Sequence, residues 1–131
     1  MQKSIKIGSA IENLRIVENA IDTLTGDAGI SQDSYGKILI GTLEAVNNAI
    51  VHGNKSNISK FVEVQFNLEN ANLRVTVTDE GKGFKPAEIP DPTLPENIEL
   101  LAGRGVFLMT KLADSIEFNS TGNSVTMTFK I

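Results

Sequence analysis

All four prolines of this chain, Pro86, Pro90, Pro92 and Pro95, fall within one run of ten residues. Proline lacks a backbone N–H and restricts the residue before it, so neither a helix interior nor a central strand holds this density. Residues 84–103 are therefore expected to form one long loop. A loop of that length inside a compact domain is more often functional or disordered than a plain connection.

Two helical and two strand patterns precede the loop. Ile11, Leu14, Val17, Ile21 and Leu24 recur at helical spacing, and Gly26 and Gly29 end that helix. Ser31 or Asp33 caps the next helix, whose apolar stripe runs through Tyr35, Ile38, Leu39, Val46, Ala49 and Ile50 and closes at His52-Gly53-Asn54. Val62, Val64, Phe66 and Leu68 alternate with polar residues, as do Leu73, Val75 and Val77. The short link Glu69-Asn70-Ala71-Asn72 makes these two runs an antiparallel hairpin. After the loop, Gly103-Arg104-Gly105 opens a helix to about Ala113. Ile116 and Phe118 start a third strand, Thr121-Gly122-Asn123 turns, and Val125, Met127, Phe129 and Ile131 mark the last strand. Ile5 and Ile7 carry only a faint alternation, the trace of an N-terminal strand. Strands in runs joined by tight turns predict an α+β two-layer sandwich: a mixed, mostly antiparallel sheet with helices packed on one face.

Composition narrows the function. With 131 residues, 40% hydrophobic and 21% charged, a single domain spanning 1–131 with a real core is expected. Twelve basic and 16 acidic side chains give a net charge of -4, which argues against direct binding to a nucleic-acid backbone. No apolar run is long enough for a membrane span, and Met1-Gln2-Lys3-Ser4-Ile5 has no apolar signal core. The absence of cysteine excludes disulfides and thiolate chemistry and fits a reducing cytoplasm. The single histidine, His52, excludes any site that needs two.

Three segments carry candidate chemistry. Glu44 and Asn48 lie one helical turn apart on one face of the second helix. A carboxylate beside an amide oxygen suits a hard cation such as Mg²⁺; the carboxylate also suits a general base, and a solvated polar pair has the same spacing. In Asp79-Glu80-Gly81-Lys82-Gly83, a strand delivers a carboxylate to its end, where it can accept a hydrogen bond from a purine's exocyclic amine. The two glycines allow close backbone approach to a ligand, or simply a turn. Gly103-Arg104-Gly105-Val106 opens a helix, and backbone N–H groups there can bind an anion, although no Walker sequence is present.

In this order the three segments, the first continuing to His52-Gly53-Asn54, the second to Phe84 and Pro86 and the third to Phe107-Leu108-Met109, resemble the N, G1 and G2 boxes of the GHKL ATPase superfamily, which includes gyrase B, Hsp90, MutL and histidine kinases. The chain looks most like the bacterial anti-sigma factor/serine-protein kinases, and the likeness covers nearly all of it. The resemblance implies the Bergerat fold, with ATP and Mg²⁺ as cofactors. Glu44 would be the catalytic base, Asn48 would bind Mg²⁺ between the phosphates, and Asp79 would hold the adenine amine. Gly81 and Gly83 would line the nucleotide, residues 85–103 would form an ATP lid, and Gly103, Arg104, Gly105 and Val106 would border the phosphates. Asn123 would stand where relatives place an adenine-fixing threonine, and Arg15 on the first helix would contact protein partners. The implied activity is phosphorylation of an anti-sigma factor antagonist of the STAS fold on Ser or Thr, alternating with sequestration of a sigma factor. A homodimer in the cytoplasm is implied as well. The alternatives are a non-catalytic nucleotide-binding regulatory module and the ATPase half of a split histidine kinase.

Overall fold

The computed structural model describes residues 1–81, 109–119 and 123–131. The chain begins with β1 (Gln2–Gly8), followed by one 3-10 turn (Ile11–Asn13), α1 (Leu14–Asp27) and α2 (Gln32–Asn48). One π-helical turn (Ala49–Gly53) continues α2. Then come β2 (Phe61–Glu69), β3 (Asn72–Thr78), β4 (Ser115–Phe118) and β5 (Ser124–Lys130). Residues 109–112, just before β4, are helical.

The strands form one sheet in the order β1-β2-β3-β5-β4. Its pairings are antiparallel throughout among the described residues, where a mixed, mostly antiparallel sheet was expected. The N-terminal strand is a full element, paired from Gln2↔Asn67 to Gly8↔Phe61. Its pattern is faint in sequence because it is an edge strand on which only Ile7 is fully buried. The β2–β3 turn matches the expected link: Asn70 and Ala71 both have positive φ, as a two-residue hairpin turn with the strands' own twist requires.

One sheet face makes the core. Val62, Val64 and Phe66 of β2, Leu73, Val75 and Val77 of β3, and Val125, Met127 and Phe129 of β5 are buried there. The alternate residues, among them Gln65, Thr76, Thr126 and Thr128, line the other face, where the Thr76 and Thr126 hydroxyls lie 2.9 Å apart. α2 packs on β3 and β5, and α1 packs on α2. The α1 stripe buries Val17, Ala20, Ile21 and Leu24, and that of α2 buries Ile38, Ala45 and Val46.

Local signals set the helix ends. Beyond α1, Gly29 takes φ +66, while its N–H reaches Gly26 O and the Ile30 N–H reaches Thr25 O, a Schellman closure that favours glycine at this position. Ser31 caps α2, its Oγ accepting the Ser34 N–H at 3.3 Å, and Asp33 lies in the first turn instead. Among the described residues, no helix is long and apolar enough to cross a membrane.

Candidate functional site

The site is built where α2 leaves the core. In the π turn the Asn54 N–H bonds to Ala49 O, five residues back, at 2.8 Å, and the Ser56 N–H reaches Ile50 O at 2.7 Å. Such widened turns recur at functional positions. Lys55 and Ser56 then follow with φ of 55° each, a left-handed pair without glycine. Each such residue costs about 1–2 kcal/mol, so this exit is held by its surroundings rather than by local preference.

Asn54 supplies much of that hold and is 0% exposed. Its Oδ1 accepts the Glu80 N–H at 2.7 Å, while its Nδ2 donates to Ser9 Oγ at 2.8 Å and to Phe61 O at 3.0 Å. Ser9 Oγ in turn donates to Lys60 O at 2.7 Å. The Glu80 carboxylate accepts the Phe61 N–H, so a side chain extends the β2–β3 pairing by one step. The turn after α2, the exit of β1, the start of β2 and the exit of β3 therefore meet at one amide.

Asp79 stands at that β3 exit. Its backbone is fixed by β5: the Asp79 N–H bonds to Asn123 O at 2.9 Å, and Asn123 Nδ2 donates to Asp79 O at 3.0 Å. Its side-chain Oδ1 accepts the Gly81 N–H at 2.7 Å. The carboxylate lies so close to Gly53 that a Cβ there would overlap it, and a Cβ on Gly81 would overlap the Gly53 carbonyl. Both glycines are thus required by close approach. Burial raises the Asp79 pKa above its ordinary value, partly offset by the Gly81 N–H and the nearby Lys60 charge.

Glu44 and Asn48 lie one turn apart on α2, and both are half-buried rather than on a solvated face. Asn48 is the last residue of α2, immediately before the π turn that carries Gly53 to Asp79. Its Nδ2 is buried and has no hydrogen-bond partner among the described residues. Native proteins rarely leave a buried amide proton unpaired, which sets this nitrogen apart among the described residues. No three His, Asp or Glu side chains converge as a metal cage among the described residues. Mg²⁺ needs no such cage: it keeps waters and takes one or two protein oxygens beside substrate phosphates, so the Asn48 Oδ1 fits it.

The structure thus joins Asp79 and Gly81 to the turn after Asn48 through Gly53. Asn123 is also here, but both ends of its amide are engaged, Nδ2 by Asp79 O and Oδ1 by Asn119 Nδ2 at 2.8 Å. Its visible role is to fix the Asp79 backbone. Arg15 is exposed on α1, apart from the buried stripe, with the exposed Ile11 and Ile16 close in sequence. Gly83, Gly103, Arg104, Gly105, Val106 and the expected lid at 85–103 lie outside the described residues. Asn54, Ser9 and Glu80 were not among the predicted site residues. The sequence signal for Asn54 was its place in His52-Gly53-Asn54, which reads as a helix stop and as the end of the N-box-like segment.

Known proteins resemble this chain in sequence and fold. A family model described as the histidine kinase-like ATPase domain matches residues 7–129. The chain is 28% identical over 132 residues to an anti-sigma F factor of Oceanobacillus iheyensis, covering 97% of this chain and 90% of that protein. It is 24% identical over 122 residues to the serine-protein kinase RsbW of the same organism, covering 88% and 77%. Among solved structures, the RsbU and RsbW domains of Rv1364c from Mycobacterium tuberculosis match with a TM-score of 0.69 at 18% identity, over 98% of this chain and 31% of that one, a likeness of fold. From the β1 exit to the end of β5, this chain belongs to the histidine kinase-like ATPase domain family.

Proposed function

We propose that the chain is an ATP-binding anti-sigma factor and serine/threonine protein kinase. It would phosphorylate a STAS-fold antagonist and, in the alternate state, sequester a sigma factor. The observation that carries this reading is the join between two half-sites. The Asp79 carboxylate is held at a strand end against Gly53, one π turn from Asn48, whose buried Nδ2 has no partner among the described residues. A base-recognising carboxylate and a phosphate-end amide on one rigid joint suit a nucleoside triphosphate. The relatives named as a serine-protein kinase and an anti-sigma F factor support the choice of reaction and partner.

In this reading Asp79 accepts the adenine amine. Asn48 offers its Nδ2 to a phosphate oxygen and its Oδ1 to Mg²⁺, which when bound neutralises phosphate charge. Glu44, one turn back, takes the proton from the attacking serine or threonine hydroxyl of the antagonist. Phosphoryl transfer rests mainly on positioning and charge neutralisation, so a base, an amide and a closing loop suffice. Gly81, Gly83, Gly103, Arg104, Gly105 and Val106 would line the nucleotide, with 85–103 as the lid. Ile11, Arg15 and Ile16 offer a cation with exposed apolar neighbours, a composition that suits a protein contact.

The test is phosphotransfer to a STAS-fold protein, followed by phosphoserine mapping, with ATP binding measured in parallel by calorimetry. Wild type is expected to bind Mg·ATP and transfer; Glu44→Gln should bind equally and transfer at least about a hundredfold more slowly. Transfer at the wild-type rate in Glu44→Gln removes Glu44 as the base. Absence of Mg·ATP binding in the wild type overturns the kinase reading.

A further inference from the structure

We propose that Asn54 is a positioning residue for base recognition, setting the preference for a 6-aminopurine through its hold on the peptide that follows Asp79. The inference rests on the nucleotide reading above and deepens it.

The argument begins with the amide's orientation. One side of the Asn54 side chain faces a backbone N–H, that of Glu80, and the other faces a hydroxyl and a carbonyl, those of Ser9 and Phe61. Turning the amide over would set its NH₂ against an N–H and its oxygen against a carbonyl. The network therefore admits one orientation. Asn54 itself is fully buried, its bond to Ser9 buried and those to Glu80 and Phe61 part-buried, and in such a setting a directional polar network fixes geometry more sharply than apolar packing.

What that orientation fixes is the Asp79–Gly81 segment. The peptide that joins Asp79 to Glu80 is held on both sides, its carbonyl by Asn123 Nδ2 and its N–H by Asn54 Oδ1. Its Oδ1 is occupied by the Gly81 N–H, and its side chain is confined by the Gly53 backbone, the residue before Asn54. Gly53 and Asn54 thus act on the same carboxylate from adjacent positions, one by leaving room and one by tying the chain beyond it. A hydrogen bond to a small donor such as an exocyclic amine is lost with a modest change in angle. Loosening the Glu80 peptide would cost discrimination at the base and leave the phosphate end, on α2, unaffected.

The experiment measures three affinities by calorimetry: Mg·ATP, Mg·ITP, in which oxygen replaces the 6-amino group, and Mg·triphosphate. Wild type is expected to prefer ATP over ITP by roughly tenfold to a hundredfold, the worth of one hydrogen bond to a charged acceptor. In Asn54→Ala the ratio should collapse to within about threefold while triphosphate binding holds, because only the base contact has lost its support. A merely structural role lowers melting temperature and the competent fraction but leaves the ratio intact, and that result overturns the proposal. If Asn54→Ala does not fold, Ser9→Ala removes a single partner of the same amide and should reduce the ratio severalfold; an unchanged ratio is equally fatal. Failure of the wild type to bind Mg·ATP, or to discriminate, overturns the base-recognition reading of Asp79 and this inference with it. Discrimination that survives in the variants overturns this inference alone.

Discussion

Gly53→Ala probes the join between the two half-sites most directly, because the substitution adds one carbon at the point of contact. Gly53 lies in a helical turn with ordinary negative φ, so local preference favours alanine by about 1 kcal/mol. The surroundings oppose it. The new Cβ would overlap the carboxylate of Asp79, and overpacking of this kind costs about 1–3 kcal/mol. The carboxylate cannot simply swing aside, since its Oδ1 holds the Gly81 N–H and Gly81 itself lies against the Gly53 carbonyl. Breaking that charge-assisted bond adds about 1–2 kcal/mol at a half-exposed site. The sum is a net loss of about 1–4 kcal/mol, with the Asp79 carboxylate displaced. Gly36→Ala is the internal reference: Gly36 lies inside α2 with nothing near a new Cβ, so it should gain about 1 kcal/mol. Urea unfolding of both variants, with Mg·ATP binding alongside, decides the matter. If Gly53→Ala matches Gly36→Ala in stability and keeps wild-type ATP affinity, the close approach of Gly53 to Asp79 does not govern the site.

Two further outcomes follow from single groups. Thr42 is fully buried and its Oγ1 has no hydrogen-bond partner among the described residues. Thr42→Val keeps the shape and removes the stranded hydroxyl, so it should stabilise by about 1–2 kcal/mol in thermal or urea unfolding; a loss of stability would show that the hydroxyl is satisfied. Asp79, its pKa raised mainly by burial, should protonate at a higher pH than an ordinary aspartate. The folded state then binds the proton more tightly than the unfolded state. Ionised Asp79 therefore burdens the fold at neutral pH, and that burden lifts as pH falls through the folded pKa towards 3.8. ATP affinity should weaken over the same window, since a protonated carboxyl is a poorer acceptor. Asp79→Asn should remove the pH-dependent part of both, and a stability profile unchanged by Asp79→Asn would contradict the shift.

How much of this could be read in advance depends on how far apart the partners lie in sequence. The β2–β3 hairpin was plain because its signals are local: Val62, Val64 and Phe66 alternate with polar neighbours, and Asn70-Ala71 forms the turn. The Glu44–Asn48 pair was legible for the same reason, since helical spacing alone puts both on one face. The choice between Ser31 and Asp33 as cap needed the structure, because both residue types suit the role and they are two positions apart. Asn54 was legible as a helix stop and as the end of the N-box-like segment, but not as the centre of a hydrogen-bond network. Its partners Ser9, Phe61 and Glu80 lie 45, 7 and 26 residues away, and no spacing rule connects them. Asn123 was legible in place but not in role, since its amide turns to the Asp79 backbone and to Asn119.

The buried amide also explains why a polar joint stands in an otherwise apolar fold. α2 meets β3 and β5 through side chains such as Ile38, Val46, Val75 and Met127, and apolar contact is strong but non-directional. Cores of this kind tolerate repacking, losing uniqueness before they lose stability. A site split between a helix and a strand cannot tolerate it, because in-line transfer depends on both halves keeping their relative position within a fraction of an ångström. Asn54 adds the directional restraint that apolar packing lacks. Its five hydrogen bonds, three from the side chain and two from the backbone, end on different elements of the joint or on the turn itself. An apolar residue of similar size would leave Glu80 N–H and Phe61 O unpaired, so the position is constrained by its neighbours' backbones rather than by its own burial. The geometry that would recognise a base is therefore held by the residue that follows the π turn, while the α2 face bearing Glu44 and Asn48 keeps its place through that helix's own apolar packing on the sheet.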